Sequence, residues 1–331
     1  MIRFGVIGTN WITEKFLDAA AQTGELKLDA IYSRTEERAA EFAEKHGAPH
    51  TYTSLEDFAA SEEFEAVYIA SPNSLHAEQA ILCMNSGKHV LCEKPIASNS
   101  AELKKMIEAA KANQVLLMEA MKTTLLPNFT SIKKNLHKIG KVRRYVASYC
   151  QYSSRYDAYK EGKILNAFKP EFSNGSMMDI GIYCIAPMVA LFGRPNSIQA
   201  TAHLLESGVD GEGSILFQYE EHDAIVMFSK ITDSYLPSEI QGEAGSIVID
   251  KFSTMENIRI RYRSGETEEI NVDQHENSMF DEAKEFASLI REGKLESETN
   301  TLGNSLITLE IMDLARREIG LVYPADEVSS N

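Results

Sequence analysis

Glu93-Lys94-Pro95 closes a short apolar run, His89-Val90-Leu91-Cys92. A lysine at the carboxyl end of a parallel strand stands where open α/β sheets bind ligands. Its ammonium can hydrogen-bond an oxygen on which charge develops. A second pair with chemical capacity is Asp179 and Tyr183. They are four residues apart, which puts both on one face of a helix. A tyrosine has a free pKa of about 10, too high for a good base near neutrality, but a neighbouring ammonium lowers it. Plainer roles compete. Asp179 falls third after Ser176 and can complete a capping box, and Tyr183 lies among Ile180, Ile182, Cys184 and Ile185 as a core residue would. Lys94 tips the reading toward redox chemistry. Glu93 is read as structural support for that strand end, and Pro95 restricts the lysine backbone, with a cis bond as one option.

A nucleotide site is expected beside Lys94. Gly5-Val6-Ile7-Gly8-Thr9-Asn10-Trp11-Ile12-Thr13 occupies a strand–turn–helix at the start of a βαβ unit. Gly8 takes the first glycine position of a G-x-G-x-x-G loop, Asn10 replaces the second and Thr13 the third. Asn10 is read as tolerating left-handed backbone there. The second strand runs out into Ser33-Arg34, with no acidic residue placed for a ribose hydroxyl. A hydroxyl and a guanidinium at that point suit a 2′-phosphate and favour NADP, with NAD kept as an option. The fourth strand ends in Ser71-Pro72-Asn73-Ser74-Leu75-His76. Asn73 and His76 there can cap a helix or face the ribose and nicotinamide.

The elements that must position these residues fall into two regions. Residues 1–121 alternate as strands (2–7, 26–32, 50–52, 66–70, 89–92, 115–118) and helices (13–22, 35–45, 75–86, 100–113). That rhythm predicts a doubly wound parallel Rossmann sheet. Residues 122–331 predict an α+β domain with a large, mostly antiparallel, open-faced sheet for substrate binding and oligomerisation. Its expected parts are a helix at 127–137, a long strand at 142–152 and an apolar helix at 176–192 kinked at Pro187. Strands follow at 197–204, 212–219, 224–231, 246–250 and 257–262, then helices at 279–291 and 302–319. The last helix can pack back on the first domain.

The chain has 331 residues, 44% hydrophobic and 25% charged, enough for two cores. A net charge of -16 argues against nucleic acid and anionic membranes as partners. The basic run Lys133, Lys134, Lys138, Lys141, Arg143, Arg144 reads as a solvated face. No leader and no apolar run of spanning length are seen, and Cys83, Cys92, Cys150 and Cys184 lack metal spacing. A cytoplasmic protein with reduced thiols and no metal is expected.

Taken together, Gly8, Ser33-Arg34, Pro72-Asn73, His76, Glu93-Lys94-Pro95 and the segment Gly175-Ser176-Met177-Met178-Asp179-Ile180-Gly181-Ile182-Tyr183 resemble the Gfo/Idh/MocA oxidoreductases. The resemblance covers essentially the whole chain. The form Asp179-x-x-x-Tyr183 looks closest to the dihydrodiol and xylose dehydrogenase branch, since the inositol branch has histidine at the position of Tyr183. It implies hydride transfer between a nicotinamide and a secondary alcohol or carbonyl of a sugar, polyol or dihydrodiol. In that reading Tyr183 is the acid/base, Lys94 tunes it and polarises the oxygen, and Asp179 orients the lysine or the sugar hydroxyls. Relatives that give the proton to the lysine keep the other assignment open. The polar stretch Tyr152–Asp157 with Tyr159, Lys160 and Asn174 suits a polyhydroxylated substrate. Two rival functions are an NAD-dependent glycoside hydrolase and a non-catalytic dinucleotide-binding regulator. The resemblance further implies homodimers or homotetramers through the second sheet.

Overall fold

The computed structural model describes residues 1–328. In chain order its elements are β1 (Ile2–Ile7), α1 (Trp11–Thr23), β2 (Leu26–Tyr32), α2 (Glu36–His46), β3 (His50–Tyr52), α3 (Leu55–Ala60), β4 (Ala66–Ile69), α4 (His76–Asn85), β5 (His89–Glu93), α5 (Ser100–Asn113) and β6 (Leu117–Ala120). There follow α6 (Lys122–Leu125), α7 (Pro127–Asn135), β7 (Val142–Cys150), α8 (Tyr156–Lys160), α9 (Ile182–Phe192), β8 (Ser197–Leu204), β9 (Asp210–Gln218) and β10 (Asp223–Ser229). The chain continues through β11 (Ser238–Gly242), β12 (Gly245–Lys251), β13 (Glu256–Tyr262), β14 (Thr267–Glu269), α10 (Phe280–Arg291), α11 (Leu302–Ile319) and α12 (Pro324–Val328).

Two compact units result. The first joins Met1–Lys122 to His275–Ser305, and the second joins Thr123–Gln274 to the residues from Leu306 onward. The boundary expected after residue 121 is thus one of several crossings. Residues 275–305, placed by sequence with the second region, cluster with the first. Asn277 shows why: its amide donates to Lys15 O at 2.9 Å and Asp18 Oδ2 at 2.8 Å, fastening the approach to α10 against α1.

In the first unit the strands run β3-β2-β1-β4-β5-β6, every neighbour parallel. β4, Ala66-Val67-Tyr68-Ile69, is buried along its whole length, as a strand covered on both faces must be. Strand order reverses between β1 and β4, so the turns leaving these two strands flank the switch point where open sheets take ligands.

The second unit holds an eight-stranded sheet, order β14-β13-β12-β11-β7-β10-β9-β8. It is antiparallel except where β7 and β10 run parallel, Arg144 opposite Asp223 through Cys150 opposite Ser229. β11 and β14 are additions to the sequence reading. β11 is Ser-Glu-Ile-Gln-Gly, whose one apolar side chain, Ile240, is buried, and β14 is Thr-Glu-Glu on the sheet edge. Neither has the apolar alternation that reveals a strand. The helix expected at 176–192 opens with a π-helical turn, Met177–Gly181, before α9. The irregularity lies there, around Asp179, rather than being confined to Pro187. Among the described residues Pro170–Phe192 is long and apolar enough to cross a membrane, contrary to the sequence reading, but 72% of its apolar window is buried in the protein. A buried core helix meets the same criterion.

Candidate active site

The turn after β1 is shaped by close approach. Gly8 has φ 107, and a Cβ on it would come within 2.5 Å of Ala70 O, so only glycine fits. Asn10 is extended at φ -122, not left-handed as its sequence context suggested. Its Oδ1 accepts from Ile12 N at 2.9 Å and Thr13 N at 3.3 Å, while its amide donates to Ala70 O at 2.8 Å. Asn10 therefore caps α1 and ties the turn after β1 to the end of β4. Thr13 is buried and donates to Gly8 O at 2.9 Å. The two replaced glycines are thus filled by side chains that brace the loop. Thr9 meets Arg38, which donates to its carbonyl at 2.7 Å and its Oγ1 at 3.2 Å. Arg38 escaped the sequence reading; its place one turn into α2 was the only signal. Trp11 is 64% exposed, Ile12 half-buried and Arg34 exposed, while Ser33 is held by its N–H to Tyr52 O at 3.1 Å. The close turn at Gly8 suits the approach of a dinucleotide phosphate chain, and the Ser33-Arg34 pair is of a type that suits a 2′-phosphate.

Lys94 sits in a loop clamped through its main chain. Glu93 is buried and accepts from Tyr68 OH at 2.6 Å and from Lys94 N at 3.3 Å. Burial raises its carboxyl above the ordinary range, against the pull of Tyr68, Lys94 and Lys122. Glu119 accepts from Ile96 N at 3.0 Å and Ser305 Oγ at 2.6 Å, and burial raises it too. His76 is fully buried, with Nδ1 2.9 Å from Pro95 O and Nε2 2.8 Å from Ser71 O. Burial lowers its pKa, although both carbonyls favour protonation. A neutral ring has one N–H and donates to one of these two carbonyls, so His76 lies between the loops after β4 and β5 and holds one of them by a hydrogen bond. Ser71 donates to Gln79 at 2.6 Å, and Pro72 and Asn73 start a 3-10 turn leading into α4. The peptide bond Lys94-Pro95 is cis.

The second unit brings Asp179 and Tyr183 onto one helical stretch, with Asp179 inside the π turn. Such turns recur at functional sites. Both side chains are half-buried among buried neighbours, and Tyr183 packs tilted on Tyr149 with centroids 5.8 Å apart. Asp179 Oδ2 receives the ammonium of Lys230 at 2.6 Å. Beneath the turn, Asp210 accepts from Met177 N at 2.6 Å, while its Oδ1 is buried without a hydrogen-bond partner. Burial pushes the Asp210 carboxyl up to about 7. Gly175, at φ 144, is where a Cβ would strike Asp210 Oδ1. Lys230 and Asp210 were not foreseen, because each lies far along the chain from the residue it meets. Among the described residues one trio of potential metal ligands converges, Asp29, His50 and Glu63. Lys27 and Arg3 pair with two of its carboxylates at 3.5 and 3.7 Å.

The family model described as oxidoreductase family, NAD-binding Rossmann fold, matches residues 2–121, and that of the GFO/IDH/MocA C-terminal domain matches residues 135–248. A scyllo-inositol 2-dehydrogenase (NADP(+)) of Bacillus subtilis is 60% identical over 327 residues, covering 99% of this chain and 100% of the relative. A trans-1,2-dihydrobenzene-1,2-diol dehydrogenase of Mus musculus is 29% identical over 344 residues, covering 98% and 99%. A 3-ketoreductase from Actinomadura kijaniata, solved with NADP and TDP-benzene, has a TM-score of 0.84 at 23% identity, covering 96% and 98%. That last likeness speaks to the fold alone.

Proposed function

The chain belongs to the Gfo/Idh/MocA oxidoreductase family, and on that premise we propose an NADP-dependent dehydrogenase that oxidises one ring carbinol of a cyclic polyol. The oxidoreductase class follows from the family; the polyol, the cofactor preference and the residue roles are our reading. One observation carries it: the Glu93-Lys94-Pro95 loop holds a lysine at the sheet's ligand end in a chain 60% identical to an inositol dehydrogenase. Tyr183 had set the chain apart from inositol enzymes with histidine at that position. The similarity to the Bacillus relative supports the polyol reading over the dihydrodiol one.

When bound, the nicotinamide accepts the hydride. The protein moves the proton. Tyr183 is assigned the role of taking it from a hydroxyl, and Lys94 that of donating a hydrogen bond to an oxygen on which charge develops. Asp179 accepts from adjacent hydroxyls, which fixes the ring. Ser33 and Arg34 meet the 2′-phosphate, with Gly8, Thr9, Asn10, Trp11 and Ile12 lining the phosphate turn.

The protein is also read as a cytoplasmic oligomer. Its four cysteines are free thiols. On β9 Ile215 and Phe217 are buried while Leu216 between them is 49% exposed, and on β10 Ile225 and Met227 face the same side half-buried. A second copy would cover this stripe; a monomer in sedimentation at micromolar concentration would defeat that part.

The test is titration with NADPH and NADH, followed by nicotinamide fluorescence, then assays with scyllo-inositol and other polyols. Tighter NADPH binding and polyol-dependent reduction of NADP are expected. NADH preference would overturn the Ser33-Arg34 assignment. Absence of turnover with every polyol would overturn the substrate class.

A further inference from the structure

We infer that Lys230 is a positioning residue for this reaction, acting on the substrate through Asp179. The inference rests on the polyol dehydrogenase reading above. Its basis is the unusual asymmetry of the ion pair. The Lys230 side chain is 4% exposed, whereas that of Asp179 is 34% exposed. The ammonium lies 2.6 Å from Asp179 Oδ2, 3.3 Å from Ala167 O and 5.1 Å from the centre of the Phe168 ring. Its backbone is fixed as well. Lys230 N donates to Gly211 O at 2.9 Å, and Lys230 O accepts from Ser153 N at 2.9 Å. A cation is therefore held from behind by a carbonyl and an aromatic face, with its carboxylate partner turned toward the accessible side.

A pair that served stability alone gains little from this arrangement, because an apolar pair of similar volume usually stabilises as well or better. What the ammonium adds is direction. It commits one carboxylate oxygen and so fixes the plane of the group. Asp179 sits on a π turn, a feature that recurs at functional sites. Lys230 holds its carboxylate from outside that turn. Polyol hydroxyls are then met by an oriented acceptor, and the reacting carbinol is aligned with little conformational searching.

The test is a double-substitution cycle on the full-length protein, once polyol turnover by the unsubstituted chain is established. Lys230→Met and Lys230→Gln are expected to lower kcat/KM for polyol about 10- to 100-fold, with NADPH affinity unchanged. In an Asp179→Asn background the same changes should cost less than about threefold, because the effect runs through Asp179. Lys230→Arg should restore part of the loss. Full activity of Lys230→Met or Lys230→Gln, or an equal loss in both backgrounds, overturns the inference. So does failure of all three Lys230 variants to fold, since the lysine would then serve the fold. If the unsubstituted chain turns over no polyol, the functional reading fails first and takes this inference with it. Turnover with additive losses defeats this inference alone.

Discussion

The two units hold their reactive side chains in opposite ways. Around Lys94 the hold is on the main chain. Tyr68 from β4, His76 from α4 and Glu119 from β6 bind Glu93, Pro95 and Ile96. Around Asp179 the hold is on the side chain itself, through the buried ammonium of Lys230. In the first arrangement the hydrogen bonds that set the loop fall on the residues flanking the lysine. In the second, removing the carboxylate leaves a charge in the interior.

That contrast can be broken by substitution. Lys94→Met should lower kcat about a thousandfold, in the range expected for loss of a group that polarises or protonates the reacting oxygen. Its urea midpoint should shift by no more than about 0.5 kcal/mol equivalent. A large loss of stability would show that the lysine side chain also holds the loop. Asp179→Ala should behave differently, losing activity and also about 2 kcal/mol of stability by urea denaturation. The figure is set below the usual cost of breaking a buried pair because Asp179 is a third exposed. Equal stability of the two variants would erase the distinction between the units.

Asp210 sharpens it further. Its carboxyl is raised to about 7 in the folded protein, against about 3.9 in an unfolded chain. The folded state therefore binds this proton more tightly. The resulting stability is complete below about pH 4 and is lost as pH rises through 7, about 2 kcal/mol of it between pH 5 and pH 7. Asp210→Asn should flatten that part of the melting profile. Parallel profiles for the two proteins would mean that the turn carrying Asp179 does not rest on a protonated acid.

Much of this was legible in the sequence. Gly8 and the Glu93-Lys94-Pro95 element are local signals, each written in fewer than ten consecutive residues, and the βα rhythm is a run of such local patterns. Asp179 and Tyr183 were found because a helix brings positions four apart together. Lys230 is 51 residues from Asp179, and Asp210 is 33 from Met177. No periodicity joins such pairs; only the sheet register does. His76 was legible as a residue, but its two carbonyl neighbours were not, since sequence cannot show which loops a buried ring lies between. β11 was missed because one buried isoleucine in five residues leaves no alternation to see.

The parallel pairing of β7 with β10 has a consequence for how the second unit assembles. β8, β9 and β10 are joined by antiparallel pairings between neighbours in sequence, as are β11, β12, β13 and β14. Either group can grow from its own turns. β7 pairs with β10 on one side and β11 on the other, with residues 151–222 intervening before its parallel partner. Its insertion requires closure of a long loop, the slow kind of event in sheet formation. The full sheet is therefore expected to close after its two locally paired halves, when one strand from the start of the unit joins them.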